Sequence, residues 1–283
     1  VMPRILNNDT IYISTNTGPM DYAGEKCHPN FFTVSWQNED IPAAMGKYML
    51  EANYKRVFLI APNYPGGRES IDGFKREYTG EVADEVYVKV GQLDFATEIA
   101  QIRASNADAV FFFLPGGMGV SFIKQLVSSG VNQQIEIYTP GFSADQDTIQ
   151  AVGEPMVNMR NAAQWSPDLD NSANQQFVQA FQEKYGRLPS MYAAQGYDAA
   201  RLLDTAIKNL GGDFSDKEKL RQEIKKAEFD SVRGDFSFNV NNYPIQNYYM
   251  REVYKDDSGQ IKNKKIDLVF NEYKDNYYKN CSM

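Results

Sequence analysis

Residues 109–114 form an unbroken apolar run, AVFFFL, with no alternation of polar positions. That is the pattern of a strand covered by helices on both faces of a parallel sheet. Pro115, Gly116, Gly117 and Gly119 break the run, and apolar positions then return at Val120, Phe122, Ile123, Leu126 and Val127 with helical spacing. A strand that ends in a Gly-rich turn and feeds a helix is a βα unit. In open α/β sheets ligands collect at the carboxyl ends of such strands, so this turn is expected to line a pocket.

The same unit recurs on both sides. Lys55 to Ala61 is a second short strand, ending at Pro62-Asn63-Tyr64 and the Gly66-Gly67 pair before a helical segment from Arg68 to Glu77. Val86 to Val90 reads as a third strand, after which Asp94 is placed to cap a helix carrying Phe95, Ile99 and Ile102. Ile135 to Thr139 is a fourth, closed by Pro140 and Gly141. Strands alternating with helices of this length predict a doubly wound, mostly parallel α/β sheet.

Towards the amino terminus, Ile11 to Ile13 is a short strand that runs into Ser14-Thr15-Asn16-Thr17-Gly18-Pro19. Hydroxyls and an amide at a strand end are good donors for a carboxylate, although an ordinary hydroxyl-rich turn has the same composition. Phe31 to Trp36 is apolar, and a helix follows with Ile41, Ala44, Met45, Tyr48 and Met49 on one face. After Asn161 to Trp165, the stretch SPDLDNSAN is the best candidate for a crossing between domains. Helices are predicted over Ala173 to Tyr185, Ser190 to Asn209 and Lys217 to Lys226. Beyond these the pattern changes to strands at Phe236 to Phe238, Tyr248 to Met250 and Ile266 to Phe270, with Asp256 to Gly259 as a hairpin turn.

With 283 residues, 42% of them hydrophobic and 13% aromatic, the chain has material for one large or two ordinary cores. A net charge of −8 argues against nucleic acid as a partner, since phosphates call for a basic face. No apolar run approaches the roughly 20 residues that span a bilayer. The start at Val1-Met2-Pro3 shows neither a signal peptide nor a polar lead-in, so the natural beginning is expected to lie upstream. Two cysteines, Cys27 and Cys281, stand at opposite ends of the chain, and from the residues alone a bridge and two free thiols fit equally.

Catalytic signatures are missing from the sequence. The lone histidine, His28, has no nucleophile near it; no Gly-x-Ser-x-Gly elbow, Walker loop or zinc-type Cys/His spacing occurs; and Gly117-Met118-Gly119 departs from the dinucleotide fingerprint at Phe122. No cofactor and no metal are expected. Tyr64, Phe142 and Tyr192 each sit at an element end beside Gly, Pro or Ser, where a ring can face a pocket or pack. The chain offers a pocket without a reaction.

The stretches STNTGPMDYAG, FFTVSWQNED, LIAPNYPGG, GQLDFATEIAQIRASNADAVFFFLPGGMG, AAQWSPDLDN, YAAQGYDAARLL and RGDFSFNVNNYPIQNYYMREV resemble, in order and along the whole chain, periplasmic solute-binding proteins of branched-chain amino-acid-type ABC importers. The similarity is greatest to members associated with aromatic acids. It implies a type I periplasmic binding protein fold: two α/β lobes, each a mostly parallel sheet with helices on both faces, joined by three crossover strands and closing on the ligand by a hinge. The implied first lobe is 1–36 with 167–231, and the second 37–166 with 232–283. Family members begin with a further set of βα units, so the first lobe is expected to be incomplete.

The resemblance implies a non-enzymatic, periplasmic and monomeric protein that captures a small organic acid, aromatic or branched, and delivers it to an ABC permease. Binding of branched-chain amino acids or amides, and a ligand sensor on the same fold, are the alternatives. Carried over residue by residue, Thr15 and Thr17, with Asn16 between them, fall where the first lobe holds the ligand carboxylate. Tyr64, the Leu114-Pro115-Gly116 turn, Gly141 and Phe142 fall on the second lobe's contacts, and Tyr192 on an aromatic contact of the first. Amino-acid binders place an acid at the position of Gly141 to pair the ammonium, so glycine there fits a ligand without an α-amine; Asp145 or Glu154 could substitute for it. Export to the periplasm tilts Cys27 and Cys281 towards a disulfide.

Overall fold

The computed structural model describes residues 2–283. In chain order the elements are α1 (Met2–Asn7), β1 (Tyr12–Ser14), α2 (Met20–Ala23), β2 (Phe31–Thr33), α3 (Asp40–Glu51), β3 (Arg56–Pro62), α4 (Pro65–Glu77), β4 (Glu81–Val88), α5 (Ala96–Ala104), β5 (Ala109–Phe112), α6 (Gly117–Ser128), β6 (Glu136–Pro140), α7 (Gln146–Val152) and β7 (Arg160–Ala163). The remainder comprises α8 (Ser172–Tyr185), α9 (Met191–Asn209), α10 (Lys217–Lys226), β8 (Ser237–Phe238), β9 (Pro244–Lys255) and β10 (Ile261–Tyr273). Among the described residues no helix is long and apolar enough to cross a membrane.

The chain divides into two units. One consists of Val1–Asn38, Pro167–Asn247 and Phe270–Met283, the other of Glu39–Ser166 and Tyr248–Val269. We call them unit 1 and unit 2. Segments 232–247 and 270–283, expected in the second lobe, belong to unit 1. Side chains explain the shift: Arg233 pairs with Asp198, Tyr243 packs into the cluster of Leu6, Ala23 and Phe31, and Cys281 is bonded to Cys27.

Unit 2 is built on the strand order β4-β3-β5-β6-β7, all parallel, with β9 antiparallel to β7 and β10 beyond it. The inner strands are apolar on both faces because helices cover both. Val57 to Ala61 and Ala109 to Phe112 are fully buried, and Phe58, Ile60, Val110, Phe112, Phe122 and Ile123 share one core cluster. The edge strand β4 begins at Glu81, five residues earlier than its apolar stretch suggests, because its acidic first half lies on the exposed rim and pairs with β3 through the backbone and the Arg56–Glu81 ion pair. Charge on an edge also discourages pairing with other chains. Asp94 does not cap α5. Its Oδ1 accepts from the Ala96 amide at 3.1 Å, a local turn that precedes the helix.

The tail strands are much longer than their apolar cores. β9 and β10 form the arms of a hairpin whose turn is organised by Asp256, whose Oδ1 accepts from the amides of Ser258 (3.0 Å) and Gln260 (2.9 Å), with Gly259 at φ +86°. Much of β10 is solvent-exposed, so polar residues extend the strand where no hydrophobic alternation marks it.

Unit 1 contains the parallel pair β1–β2 and helices α8, α9 and α10. Their starts are capped as the side chains dictate. Asn171 accepts from the Asn174 amide, Ser190 from Ala193, and Asp216 from Glu218 and Lys219. The two ends of the chain are tied together by Cys27–Cys281, with Cα atoms 5.6 Å apart and a sequence separation of 254. Nearby Asn241 donates to the Ala23 carbonyl (2.7 Å) and to Asp275 (3.0 Å), whose buried carboxyl is held above its usual pKa chiefly by desolvation.

Closing a loop of that length restricts the unfolded chain, which the chain-entropy treatment values at about 5 kcal/mol as an upper figure. Replacing both cysteines by serine should therefore lower the melting temperature clearly. Unreduced protein should show no alkylatable thiol by mass spectrometry, and two labelled thiols in such a sample would contradict the bridge.

Candidate functional site

In unit 1 the loop after β1 is pinned from behind. Ser14 Oγ donates to the carbonyls of Asn16 (2.9 Å) and Thr17 (2.7 Å), and Ser35 Oγ donates to the same Thr17 carbonyl at 3.0 Å. Thr17 adopts φ +76°, and at Gly18 a Cβ would stand 2.1 Å from the Trp36 carbonyl, so the chain turns there in a way only glycine permits. The carbonyls thus face inward while the side chains of Thr15, Asn16 and Thr17 lie in the open.

Behind Ser35 lies a charged network that the sequence reading did not identify. The Ser35 carbonyl accepts from Gln246 Nε2 (2.9 Å), Gln246 Oε1 accepts from Arg233 Nη1 (2.7 Å), and Arg233 Nε donates to Asp198 at 2.9 Å. Ser231 Oγ and the Val232 amide also donate to Asp198. Both charged side chains are almost wholly buried, at 2% and 0% exposure. The legible clue was an aspartate on the apolar face of α9, between Gln195 and Ala199 and in line with Leu202. Tyr192 stands in the first turn of the same helix, 39% exposed. Gln195, one turn further on, is buried with neither side-chain amide atom bonded.

In unit 2 the carboxyl ends of β3, β5 and β6 assemble an aromatic shelf. Tyr64 lies 6.2 Å from Phe113 between ring centroids, and Phe113 meets Phe142 edge-to-face at 5.0 Å. Glycines allow these ends to turn tightly. A Cβ at Gly67 would stand 1.9 Å from the Pro62 carbonyl, and one at Gly119 would stand 2.3 Å from that of Leu114. Tyr64 is 37% exposed, and its phenol is held above its usual pKa mainly by desolvation and then by Glu69, so it remains a neutral donor. Arg68 flanks it, bonded to Asn63 and stacked on Tyr87.

Two expected contacts are placed differently from the others. The Leu114 side chain is fully buried in the core and its carbonyl accepts from Ser143, whereas Pro115 and Gly116 (φ +58°) are exposed. Gly141 is packed against β7. A Cβ there would lie 2.7 Å from Ala163 Cβ and 2.8 Å from Arg251 Nη2, so position 141 has no room for an acid, and packing alone accounts for the glycine. Glu154, a possible substitute, is engaged with Lys255. His28 braces its loop, with Nδ1 accepting from the Asn30 amide. Among the described residues no group of three or more His, Cys, Asp or Glu side chains could hold a metal.

A family model described as "Periplasmic binding protein" matches residues 1–260. Leu/Ile/Val-binding protein homolog 6 of Brucella melitensis is 28% identical over 244 residues, covering 82% of this chain and 61% of its own length. The chain thus spans about three fifths of the curated relatives it matches. Among solved structures, an ABC-transporter solute-binding protein from R. palustris in complex with benzoate superposes with a TM-score of 0.91 at 30% identity, over 99% of this chain and 76% of that one. A solute-binding protein from Rhodopseudomonas palustris BisB5 in complex with 3,4-dihydroxybenzoic acid gives 0.88 at 26%, over 97% and 76%.

The buried pair in unit 1 has a direct test. Asp198→Ala leaves Arg233 buried without its counter-charge and should cost about 3–5 kcal/mol in urea unfolding. Replacing both Asp198 and Arg233 by apolar residues of similar volume should cost less than Asp198→Ala alone.

Proposed function

We propose that this chain, which belongs to the periplasmic binding protein family, is the ligand-binding part of an extracytoplasmic, monomeric solute-binding protein. Its ligand is a small aromatic carboxylate, which it passes to an ABC permease in the inner membrane without chemical change. The observation that carries this reading is the presence of two unlike surfaces, one in each unit. One is a loop presenting Thr15, Asn16 and Thr17 outward from an internally bonded backbone. The other is the shelf of Tyr64, Phe113 and Phe142.

A carboxylate needs donors, which the threonine hydroxyls and the Asn16 amide supply; a flat apolar ring needs a flat apolar partner. Tyr192 adds a second ring to the unit 1 surface. The packing at Gly141 supports the same choice, since an α-ammonium would need a carboxylate that cannot be accommodated there. The benzoate and 3,4-dihydroxybenzoic acid bound by the two similar solute-binding proteins belong to this chemical class.

Isothermal titration calorimetry on the full-length protein tests the reading. Benzoate or a hydroxybenzoate should bind, and Tyr64→Ala or Tyr192→Ala should each weaken binding by about 1–3 kcal/mol through lost aromatic burial. A preference for leucine or valine over their amine-free analogues would replace this ligand class. Turnover of the bound acid would refute the carrier role.

A further inference from the structure

Gln164 follows β7 directly and is fully buried, yet neither its Oε1 nor its Nε2 has a hydrogen-bond partner in the protein. Each unpaired buried polar group carries a desolvation penalty, which methionine or leucine of similar volume would avoid. Asn161, the carboxamide within the same strand, shows how an amide serves the fold here. Its Nδ2 donates to Asn263 at 2.7 Å and its Oδ1 accepts from Arg251 at 2.8 Å. Gln164 has no such structural employment.

Its position is equally specific. β6 and β7 pair up to Pro140 opposite Ala162, and Phe142 and Gln164 each follow that last pair by two residues. The strand ends remain close beyond it, since a Cβ on Gly141 would stand 2.7 Å from that of Ala163. Gln164 therefore lies at the carboxyl edge of the sheet in line with Phe142, whose ring packs on Phe113 of the aromatic shelf. Carboxyl edges are where open α/β sheets bind ligands.

We propose that Gln164 is a specificity residue, whose carboxamide hydrogen-bonds a phenolic hydroxyl on the ring of the bound acid. The inference rests on the aromatic-acid reading above and deepens it. A carboxamide suits a phenol because Oε1 accepts from the O–H while Nε2 donates to the phenol oxygen. A carboxylate, which only accepts, would use the Nε2 donor and leave Oε1 unpaired. A buried site equipped to bond a hydroxyl discriminates strongly against the analogue lacking it, because the amide is then left unpaired.

The experiment is calorimetry on the full-length protein with benzoate, 4-hydroxybenzoate and 3,4-dihydroxybenzoate. Gln164→Met should weaken binding of the two phenols by about tenfold or more relative to benzoate. The melting temperature of the ligand-free protein should stay the same or rise, since an unpaired amide has been removed. Equal loss for all three acids would make Gln164 a carboxylate contact or a structural residue and overturn the proposal, as would no loss at all. Transfer of the selectivity to Gln195→Met, the other buried glutamine without partners, would overturn it too. If neither Gln164→Met nor Gln164→Leu folds, the amide is structural and the idea fails. Wild-type protein that binds none of the three acids would refute the aromatic-acid reading itself, whereas wild-type binding of all three with no dependence on residue 164 refutes only this inference.

Discussion

Asp198 and Arg233 face each other with almost no exposure to water, and the backbone of the Thr15–Thr17 loop is linked to that pair through hydrogen bonds. Either charge alone would be very costly at such depth; Ser231, the Val232 amide and Gln246 add further hydrogen bonds to the pair, and the guanidinium stacks over Phe236. From Gln246 the bonding passes to the Ser35 carbonyl, and the Ser35 hydroxyl reaches the Thr17 carbonyl. A helix, a tail segment and a strand-end loop are thereby held in one arrangement. With the Asn16 and Thr17 carbonyls bonded inward, the side chains of Thr15, Asn16 and Thr17 are left exposed on the outer side.

Unit 2 solves a different problem by different means. Its inner parallel strands are apolar on both faces and can exist only under helices, so polar backbone and side chains meet solvent at the strand ends and not along the strands. Gly67, Gly119 and Gly141 each remove a Cβ that would collide with the neighbouring backbone or side chain. The strands can then turn abruptly, leaving Tyr64, Phe113 and Phe142 in ring contact where they end. The shelf is thus a consequence of how tightly the strands turn.

The carboxyl-terminal segment ties these features to stability. Residues 270–283 return to unit 1, where the bridge to Cys27 and the Asn241–Asp275 contact anchor them beside the first helices. The ends of the chain are therefore fixed within the unit that carries the hydroxyl loop, and a cross-link of this span acts mainly by restricting the unfolded chain.

What the sequence determined by itself is the local order. Uninterrupted apolar runs at 57–61 and 109–114 marked buried parallel strands, and Asn171, Ser190 and Asp216 marked helix starts, because burial on two faces and end-capping leave signatures within a few residues. The hydroxyl loop and the aromatic strand ends were legible for the same reason, as was the family likeness carried by whole motifs. Tertiary structure alone decided the rest. That Asp198 meets Arg233, that Gly141 is there to accommodate Ala163 and Arg251, that segments 232–247 and 270–283 belong with unit 1, and that Gln164 keeps an unpaired amide at the sheet edge are all contacts between residues remote in sequence or departures from local pattern. Long-range pairing and the satisfaction of buried polar groups depend on three-dimensional proximity, which no local periodicity encodes.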